Sequence, residues 1–300
     1  MSQPTNIPFP QSPVVPSMVG GEHVIQFSCH KGIGCWNACC ANIDITLTPY
    51  DILRLKKRLE LSSAEFLTKY TVPYELDKDD IAGVKFRPVA GGTACQFMTP
   101  EGCAVYEDRP TACRYYPVAL LSMRKEGESF DTASYAMVQE DHCKGHQVER
   151  KLTIDEYRQE QGLVEYDELA RGWRQLVLKK KSSGPHIGKP SLKSRQLFFM
   201  ACYDIDQFRA FIASDAFGQL FALTREEREK LVSEDVELMQ FGFRLLRQVL
   251  FGEESIPLND EAAKARAEKV REKHMQAERE AAERLARAED GDYPFEDDEA

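Results

Sequence analysis

FSCHKGIGCWNACC, residues 27–40, places four cysteines within twelve positions, and the last two of them are adjacent. Three kinds of structure explain such crowding: structural disulfides, a metal or iron–sulfur site, and a redox-active thiol. Each predicts a different distribution of the remaining cysteines and a different cellular compartment. Those two features of the chain therefore decide between them.

Four more cysteines follow the first cluster. CQFMTPEGCAVYEDRPTACRYYP (95–117) contains three, and DHCKGH (141–146) contains one. Thiolates from several short segments can converge on zinc, on iron or on an iron–sulfur cluster. The candidate metal ligands are Cys29, Cys35, Cys39, Cys40, Cys95, Cys103, Cys113 and Cys143. Eight thiols suffice for one four-ligand site with spares or for two such sites, and the sequence leaves this choice open.

Composition favours metal binding over disulfides. The 300 residues are 42% hydrophobic and 29% charged, as expected for a soluble globular protein of about two domains. The segment MSQPTNIPFPQSPVVPS (1–17) lacks the features of a secretory signal, and no apolar run reaches the roughly 20 residues that span a bilayer. We therefore expect a cytoplasmic protein without membrane association, in which thiols stay reduced. An odd total of nine cysteines also argues against a fully paired framework.

The net charge of −10 argues against nonspecific binding to nucleic acid. The clustered thiols instead make a metal ion the expected partner.

The adjacent pair Cys39 and Cys40 favours iron over zinc. Neighbouring side chains diverge, so both thiols reach one ion only with strain. A cluster with separated iron corners, or two neighbouring sites, accommodates them more easily. The sequence therefore predicts iron or an iron–sulfur cluster, with zinc as the alternative. The histidines beside the cysteines are interpreted as exposed or hydrogen-bonded imidazoles, and Cys202, among apolar residues, as a buried inert thiol.

The pattern of local signals predicts an α+β fold. An irregular cysteine-rich metal-binding core with a few short strands is followed by a mainly helical C-terminal region. The expected divisions are a disordered lead-in (1–22), a cysteine-cluster domain (23–150), a helical region (151–252), and a charged helix with an acidic tail (253–300).

Several secondary-structure elements are predicted from capping and alternation. Thr48 and Pro49 are typical of a helix start, and Ser62 or Ser63 restarts a second helix. Thr153 and Glu156 have the spacing of a capping box. Strands are predicted at 84–89, 116–124 and 129–138, and the last two form a hairpin.

The charged stretch 259–290 is rich in alanine and lacks strong heptads. It is interpreted as a solvated helix. A protein partner bound through this helix is the alternative.

The cysteines ending in CC, the following LTPYDILRLKK (47–57) and the segment YEDRPTACRYYP (106–117) together resemble the YkgJ-type cysteine-cluster family. Its members are described as carrying a zinc- or iron-chelating domain with the pattern C-x-x-C-x-x-C-C. The first spacings here are five and three residues. The resemblance covers roughly residues 27–147 and implies metal binding.

A related branch, the flagellin lysine N-methylases, shares the cysteine pattern and transfers methyl groups to protein lysines. The present chain shows no clear glycine-rich loop after a strand for S-adenosylmethionine. Three functions therefore stay open: a metal-binding protein, an iron–sulfur-dependent enzyme such as a lysine N-methyltransferase-like protein, and a zinc-stabilised interaction module. The sequence identifies no catalytic residue.

Overall fold

The structure is a computed structural model that describes residues 14–77, 81–123, 132–182 and 190–265, and parts of 267–279. Its strands are β1 (Val14–Val19), β2 (Val24–Gln26), β3 (Thr46–Leu47), β4 (Thr71–Asp77), β5 (Ile81–Phe86), β6 (Met98–Thr99), β7 (Gly102–Cys103), β8 (Val118–Met123), β9 (Thr132–Val138) and β10 (Lys151–Thr153). Its helices are α1 (Pro49–Arg58), α2 (Ser63–Tyr70), α3 (Thr111–Tyr115), α4 (Ile154–Glu160), α5 (Leu163–Ser182), α6 (Leu192–Tyr203), α7 (Ile205–Ala213), α8 (Asp215–Leu220), α9 (Arg225–Ser233) and α10 (Asp235–Phe251).

The strands form small antiparallel sheets, and the helices follow them in the chain. One sheet has the order β1-β9-β8 and another the order β3-β5-β4, while β2 pairs with β10 and β6 with β7. The predicted hairpin is confirmed, since β8 and β9 pair from Val118 opposite Met137 to Met123 opposite Thr132. In the described part of the C-terminal half, seven helices, α4 to α10, follow one another between residues 154 and 251. The α+β prediction with a helical C-terminal region is therefore confirmed.

Helix starts lie where capping residues predict them. The Asp51 amide donates to Thr48 Oγ1, while the Thr48 amide donates to Asp51 Oδ2 at 2.8 Å. This reciprocal pair satisfies two backbone donors that the first turn of α1 leaves without a helical partner. The same arrangement starts α2 at Ser62 and α4 at Thr153.

The amino-terminal segment differs from the expected lead-in. Residues 14–19 form β1, which pairs with β9 so that Val14 lies opposite Val138. Pairing satisfies the backbone groups of a segment whose composition alone predicts disorder. Residues 1–13 lie outside the described part of the chain, as do most of the predicted charged helix and the acidic tail, although residues 260–265 are helical.

Two hydrophobic cores each contain residues from both sides of position 150. The larger one joins α1 and β5 to α6, α7 and α10, with Leu55, Phe66 and Phe208 fully buried. The smaller one packs Phe27 and Tyr115 against Ile154 and Leu163. The cysteine-containing segments are therefore held by packing against the helical region. Among the described helices, none combines the length and apolar character that a membrane span requires.

Polar contacts also join the helical region to the first two helices. The largely buried Lys56 ammonium donates to Asp206 Oδ1 at 2.6 Å, and the Ser63 amide donates to Asp206 Oδ2 at 2.7 Å. The Ser63 hydroxyl also donates to Asp204. The sequence YDID (203–206) therefore anchors α7 to α1 and α2.

Replacing Asp206 with alanine should lower the free energy of unfolding by about 2 kcal/mol, because Lys56 and the Ser63 amide lose their acceptor. Partial burial acts to raise the pKa of Asp206, but the bonds from Lys56 and Ser63 hold it below the usual value. The stabilisation is therefore present above the ordinary aspartate pKa and lost as the pH falls through the lowered one. Urea titrations of the wild type and Asp206→Ala should differ at pH 7 and converge in acid. The exposed Glu226→Ala serves as control, and equal midpoints for all three proteins at pH 7 would contradict this anchoring role.

Candidate metal centre

All eight clustered cysteines line one cavity of about 620 Å³. They come from segments that lie far apart in the sequence, between residues 29 and 143. All nine cysteines of the chain are free thiols. The ninth, Cys202, is buried in the larger core, as its apolar neighbours predict. The eight predicted ligands therefore line the cavity, whereas Cys202, interpreted as inert, lies in the hydrophobic core.

The first cluster is tied to the segment around Cys143. The Ser28 amide donates to the Gly145 carbonyl at 3.1 Å, and the Lys144 amide donates to Cys35 Sγ at 3.2 Å. Glycine is needed at 145, because a Cβ there would lie 2.4 Å from the ring of Phe27. These contacts bring Cys29, Cys35 and Cys143 to the same side of the cavity.

The other end of the first cluster is tied to the second group of cysteines. The Cys95 amide donates to the Cys40 carbonyl at 2.8 Å. Cys103 follows in the short β6–β7 hairpin, where it lies opposite Met98. Gly102, with φ of +124°, makes the turn, and a Cβ there would lie 2.9 Å from the Trp36 ring. Cys40, Cys95 and Cys103 are therefore neighbours through backbone pairing.

Cys113 is placed by a buried carboxylate. It lies in α3, whose first residue Thr111 donates its amide and its hydroxyl to Asp51 Oδ1 at 2.8 and 2.7 Å. Asp51 is fully buried and also caps α1. Sequence reasoning missed Asp51. The sequence TPYD indicates that Asp51 caps α1. It does not indicate that Asp51 also accepts from Thr111, which lies 60 residues later in the chain.

Arg114 ties the segment around α3, which carries Cys113, to neighbouring parts of the chain. Its guanidinium donates to the carbonyls of Arg109, Gln161 and Glu107 and to the Tyr166 hydroxyl. It also lies over the Tyr166 ring, 4.2 Å from the centroid. Arg114 is therefore a structural residue.

Arg109 lies in the cavity wall instead. Its guanidinium stacks on Tyr106 at 4.1 Å and donates to Gln161. Burial raises the pKa of the Cys29 and Cys103 thiols, and the Arg109 charge opposes part of that rise. For Cys39, whose pKa is lowered mainly by the hydrogen bond with Cys40, the Arg109 charge adds a smaller lowering. Arg109 is thus the basic residue that lies in electrostatic contact with both groups of cysteines.

Burial and mutual repulsion dominate the electrostatics of most thiols. Desolvation raises the pKa of Cys95, Cys103 and Cys113, and neighbouring thiolates add to the effect. Cys39 differs, because the hydrogen bond with Cys40 lowers its pKa to about 7 and raises that of Cys40. The cavity therefore disfavours many simultaneous negative charges on its thiols, and a bound cation would stabilise them.

The histidines near the cysteines have other contacts. His30 Nδ1 lies 3.0 Å from the Lys31 carbonyl oxygen, and His142 lies 3.5 Å from a Glu140 carboxylate oxygen. His146 packs against the Phe27 ring. The interpretation of these imidazoles as hydrogen-bonded or exposed agrees with His30 and His142. It does not fit His146, whose Nε2 is buried and has no hydrogen-bond partner among the described residues.

The thiols share a cavity but are not gathered into a coordination sphere. Within the described ranges, no three Cys, His, Asp or Glu side chains are grouped closely enough to hold a metal ion. The Cys39 and Cys40 sulfurs are 4.0 Å apart. The donor set itself, eight free thiols, suits zinc, iron or an iron–sulfur cluster. Binding would therefore require rotation of cysteine side chains toward a common point.

Comparison with known proteins agrees with this donor set. A family model named CxxCxxCC and described as a "putative zinc- or iron-chelating domain" matches residues 28–171. No curated protein and no solved structure shows significant similarity to the chain. The match begins just before the first cavity cysteine, covers all eight and ends within α5. Residues 28–171, a little under half of the chain, are therefore similar to the CxxCxxCC family of putative zinc- or iron-chelating domains.

Proposed function

We propose that the protein binds iron through the cavity cysteines, as an iron–sulfur cluster, with zinc as the alternative occupant. The observation that carries this proposal is the convergence of eight free thiols on one cavity of about 620 Å³. A single ion held by four thiolates would leave half of the thiols unused. The number of donors therefore favours an occupant with several metal positions.

The side chains of the cavity would hold such a group and limit its access to water. Thiolates of the eight cysteines are the ligands. Arg109 would offset part of their negative charge, and aromatic walls from Phe27, Trp36 and Phe97 exclude solvent. An iron–sulfur cluster would supply electron transfer or an iron corner for substrate binding.

A catalytic role is the second candidate. Cys29 and Cys39 are exposed, whereas the other six cavity cysteines are partly buried. One side of the proposed centre would therefore be open to an exchangeable ligand, a feature of catalytic rather than structural metal sites. Methyl transfer to protein lysines is the enzymatic function suggested by the resemblance to the lysine N-methylases. A closed zinc site would instead favour a zinc-stabilised interaction module.

Replacing Cys103 or Cys113 with serine should remove at least half of the bound metal and lower the unfolding midpoint, because metal binding contributes to folding. The measurement is elemental analysis of anaerobically purified full-length variants, with a thermal melt of the same samples. Cys202→Ala is the matched control, since it removes a buried thiol outside the cavity and should keep the full metal content. Cysteine variants that retained full metal content and the wild-type melting temperature would contradict the ligand assignment.

A further inference from the structure

The hydroxyl of Tyr116 lies beside the Cys143 thiol in the cavity wall. We propose that Tyr116 donates a hydrogen bond from this hydroxyl to the Cys143 sulfur when a metal is bound, and that it thereby orients Cys143 as a ligand. Tyr116 is then a positioning residue that acts through a candidate ligand. This inference rests on the proposed metal-binding function and names a residue that supports it from outside the set of thiols.

Backbone contacts on three sides fix the position of Tyr116. It directly follows α3, and its amide donates to the Ala112 carbonyl at 3.3 Å. Its carbonyl accepts from the hydroxyl of Tyr157, a buried residue of α4. The next carbonyl, that of Pro117, accepts from the Val138 amide at 2.7 Å. The side chain therefore projects from a backbone that α3, α4 and the end of β9 hold together.

The end of β9 leads directly to the cysteine. Val138 is the last residue of β9, and shortly after it the Glu140 carbonyl accepts from the Cys143 amide at 2.9 Å. The contact between Pro117 and Val138 thus places this turn beside Tyr116. Burial and the neighbouring Cys143 and Glu140 side chains raise the pKa of the Tyr116 hydroxyl. The backbone and the side chains therefore agree on which groups this hydroxyl faces.

The Tyr116 oxygen is buried, and no described residue forms a hydrogen bond of ordinary geometry with it. Two further residues of the cavity wall, Trp36 and Arg109, have a buried nitrogen in the same condition. Buried donors are almost always paired, because an unpaired donor loses its hydrogen bonds to water and gains none in return. A metal-bound cysteine is a thiolate, which accepts a hydrogen bond more strongly than a neutral thiol does. Such a sulfur would therefore supply the acceptor for this hydroxyl.

Glu140 is the competing acceptor. One of its carboxylate oxygens lies 3.5 Å from His142 Nε2, so this side chain also faces another donor. A phenol has one proton, and a bond to the Glu140 carboxylate therefore excludes a bond to the Cys143 sulfur. Metal binding favours the sulfur, because it converts a weak acceptor into a charged one.

A hydrogen bond to a ligand sulfur has two measurable consequences. It holds the ligand in the orientation that the metal needs, and the loss of such a partner typically weakens metal binding about 10- to 100-fold. It also stabilises the lone pairs of the sulfur, so that charge transfer from sulfur to metal requires more energy. A role in packing alone would produce no such spectral effect.

Cobalt(II) titration of the metal-free, reduced full-length chain measures both consequences, because cobalt–thiolate bonds give charge-transfer bands in the near ultraviolet. In competition with nitrilotriacetate, Tyr116→Phe should bind cobalt about tenfold more weakly than the wild type. Its charge-transfer band should lie at longer wavelength, because the sulfur loses the stabilising bond. Tyr203→Phe is the matched control. It removes another buried hydroxyl that has no partner among the described residues, but from the larger core, and it should behave as the wild type.

The position of the band decides between the two acceptors. A band at longer wavelength in Tyr116→Phe, with a circular dichroism spectrum equal to that of the wild type, supports the bond to sulfur. A band at the wild-type wavelength would overturn the inference whether or not the affinity falls, since the hydroxyl would then serve Glu140 or the packing of the segment. A wild type that binds no cobalt and is purified without iron or zinc would instead overturn the proposed function itself.

Discussion

Replacing Asp51 with alanine is expected to lower the free energy of unfolding by about 4 kcal/mol, because it leaves two buried donors and one partly buried donor without their carboxylate acceptor. The Thr48 amide donates to one carboxylate oxygen, and the Thr111 amide and hydroxyl donate to the other. Since Thr111 starts the helix that carries Cys113, the same change should reduce the metal content. Urea denaturation and elemental analysis of one preparation measure both effects.

Two other substitutions distinguish the loss of stability from the loss of metal. Asparagine has one acceptor oxygen in place of two, so Asp51→Asn can accept from Thr111 but not also from the Thr48 amide. It should therefore lose less stability than Asp51→Ala and retain more metal. Glu65→Ala breaks the equivalent but exposed capping box of α2, far from the cysteines in sequence, and should cost at most about 1 kcal/mol with full metal content. Unchanged metal content in Asp51→Ala would show that Cys113 is placed by other contacts.

Replacing Arg114 with methionine is expected to lower the free energy of unfolding by about 4 kcal/mol, because buried carbonyls lose charged donors. The guanidinium donates to the carbonyls of Arg109 and Gln161 at 2.9 and 2.7 Å and to that of Glu107. Arg114→Lys keeps the charge but cannot reproduce the planar fork or the stacking on Tyr166, so it should recover only part of the loss.

The control for Arg114 is Arg171→Met. Arg171 forms an exposed ion pair with Glu168 on α5, and its loss should change stability by less than about 0.5 kcal/mol. Unfolding midpoints in urea compare the four proteins. If Arg114→Met unfolded at the same urea concentration as Arg171→Met, Arg114 would not be the residue that supports the segment around Cys113.

Local features of the fold could be predicted from the sequence because their causes lie within a few residues. Thr48 with Pro49, Ser62 with Glu65 and Thr153 with Glu156 each satisfy backbone donors of their own first turn. The β8–β9 pair likewise joins strands that lie only eight residues apart in the sequence. Such elements depend on capping and alternation, which a single sequence displays directly.

Features that depend on distant partners could not be predicted. The strand β1 forms in a proline-containing segment because β9, more than 100 residues later, supplies its hydrogen bonds. Asp204 and Ser214 act as caps and divide the helical stretch 192–220 into α6, α7 and α8. Their side chains bond to backbone amides inside a run that hydrophobic periodicity alone does not interrupt.

The candidate ligands were predicted from residue type, and the structure places all eight in one cavity. Their supports were not predicted, since Asp51 and Thr111 meet only after folding. The contacts of Cys95 with Cys40 and of Lys144 with Cys35, which bring distant cysteine segments together, likewise form only after folding. The spacing of cysteines along the chain does not contain this information.

The most direct test of metal binding by the cavity is anaerobic purification of the full-length chain, followed by iron, zinc and acid-labile sulfide analysis and a visible absorption spectrum of one sample. Iron and sulfide in near-equal amounts, with a broad visible band that is lost in Cys113→Ser, is the predicted result. A colourless protein with stoichiometric zinc and no sulfide would contradict the iron–sulfur assignment and leave a zinc site. A folded protein that contains neither metal, and takes up neither when supplied, would contradict the central claim.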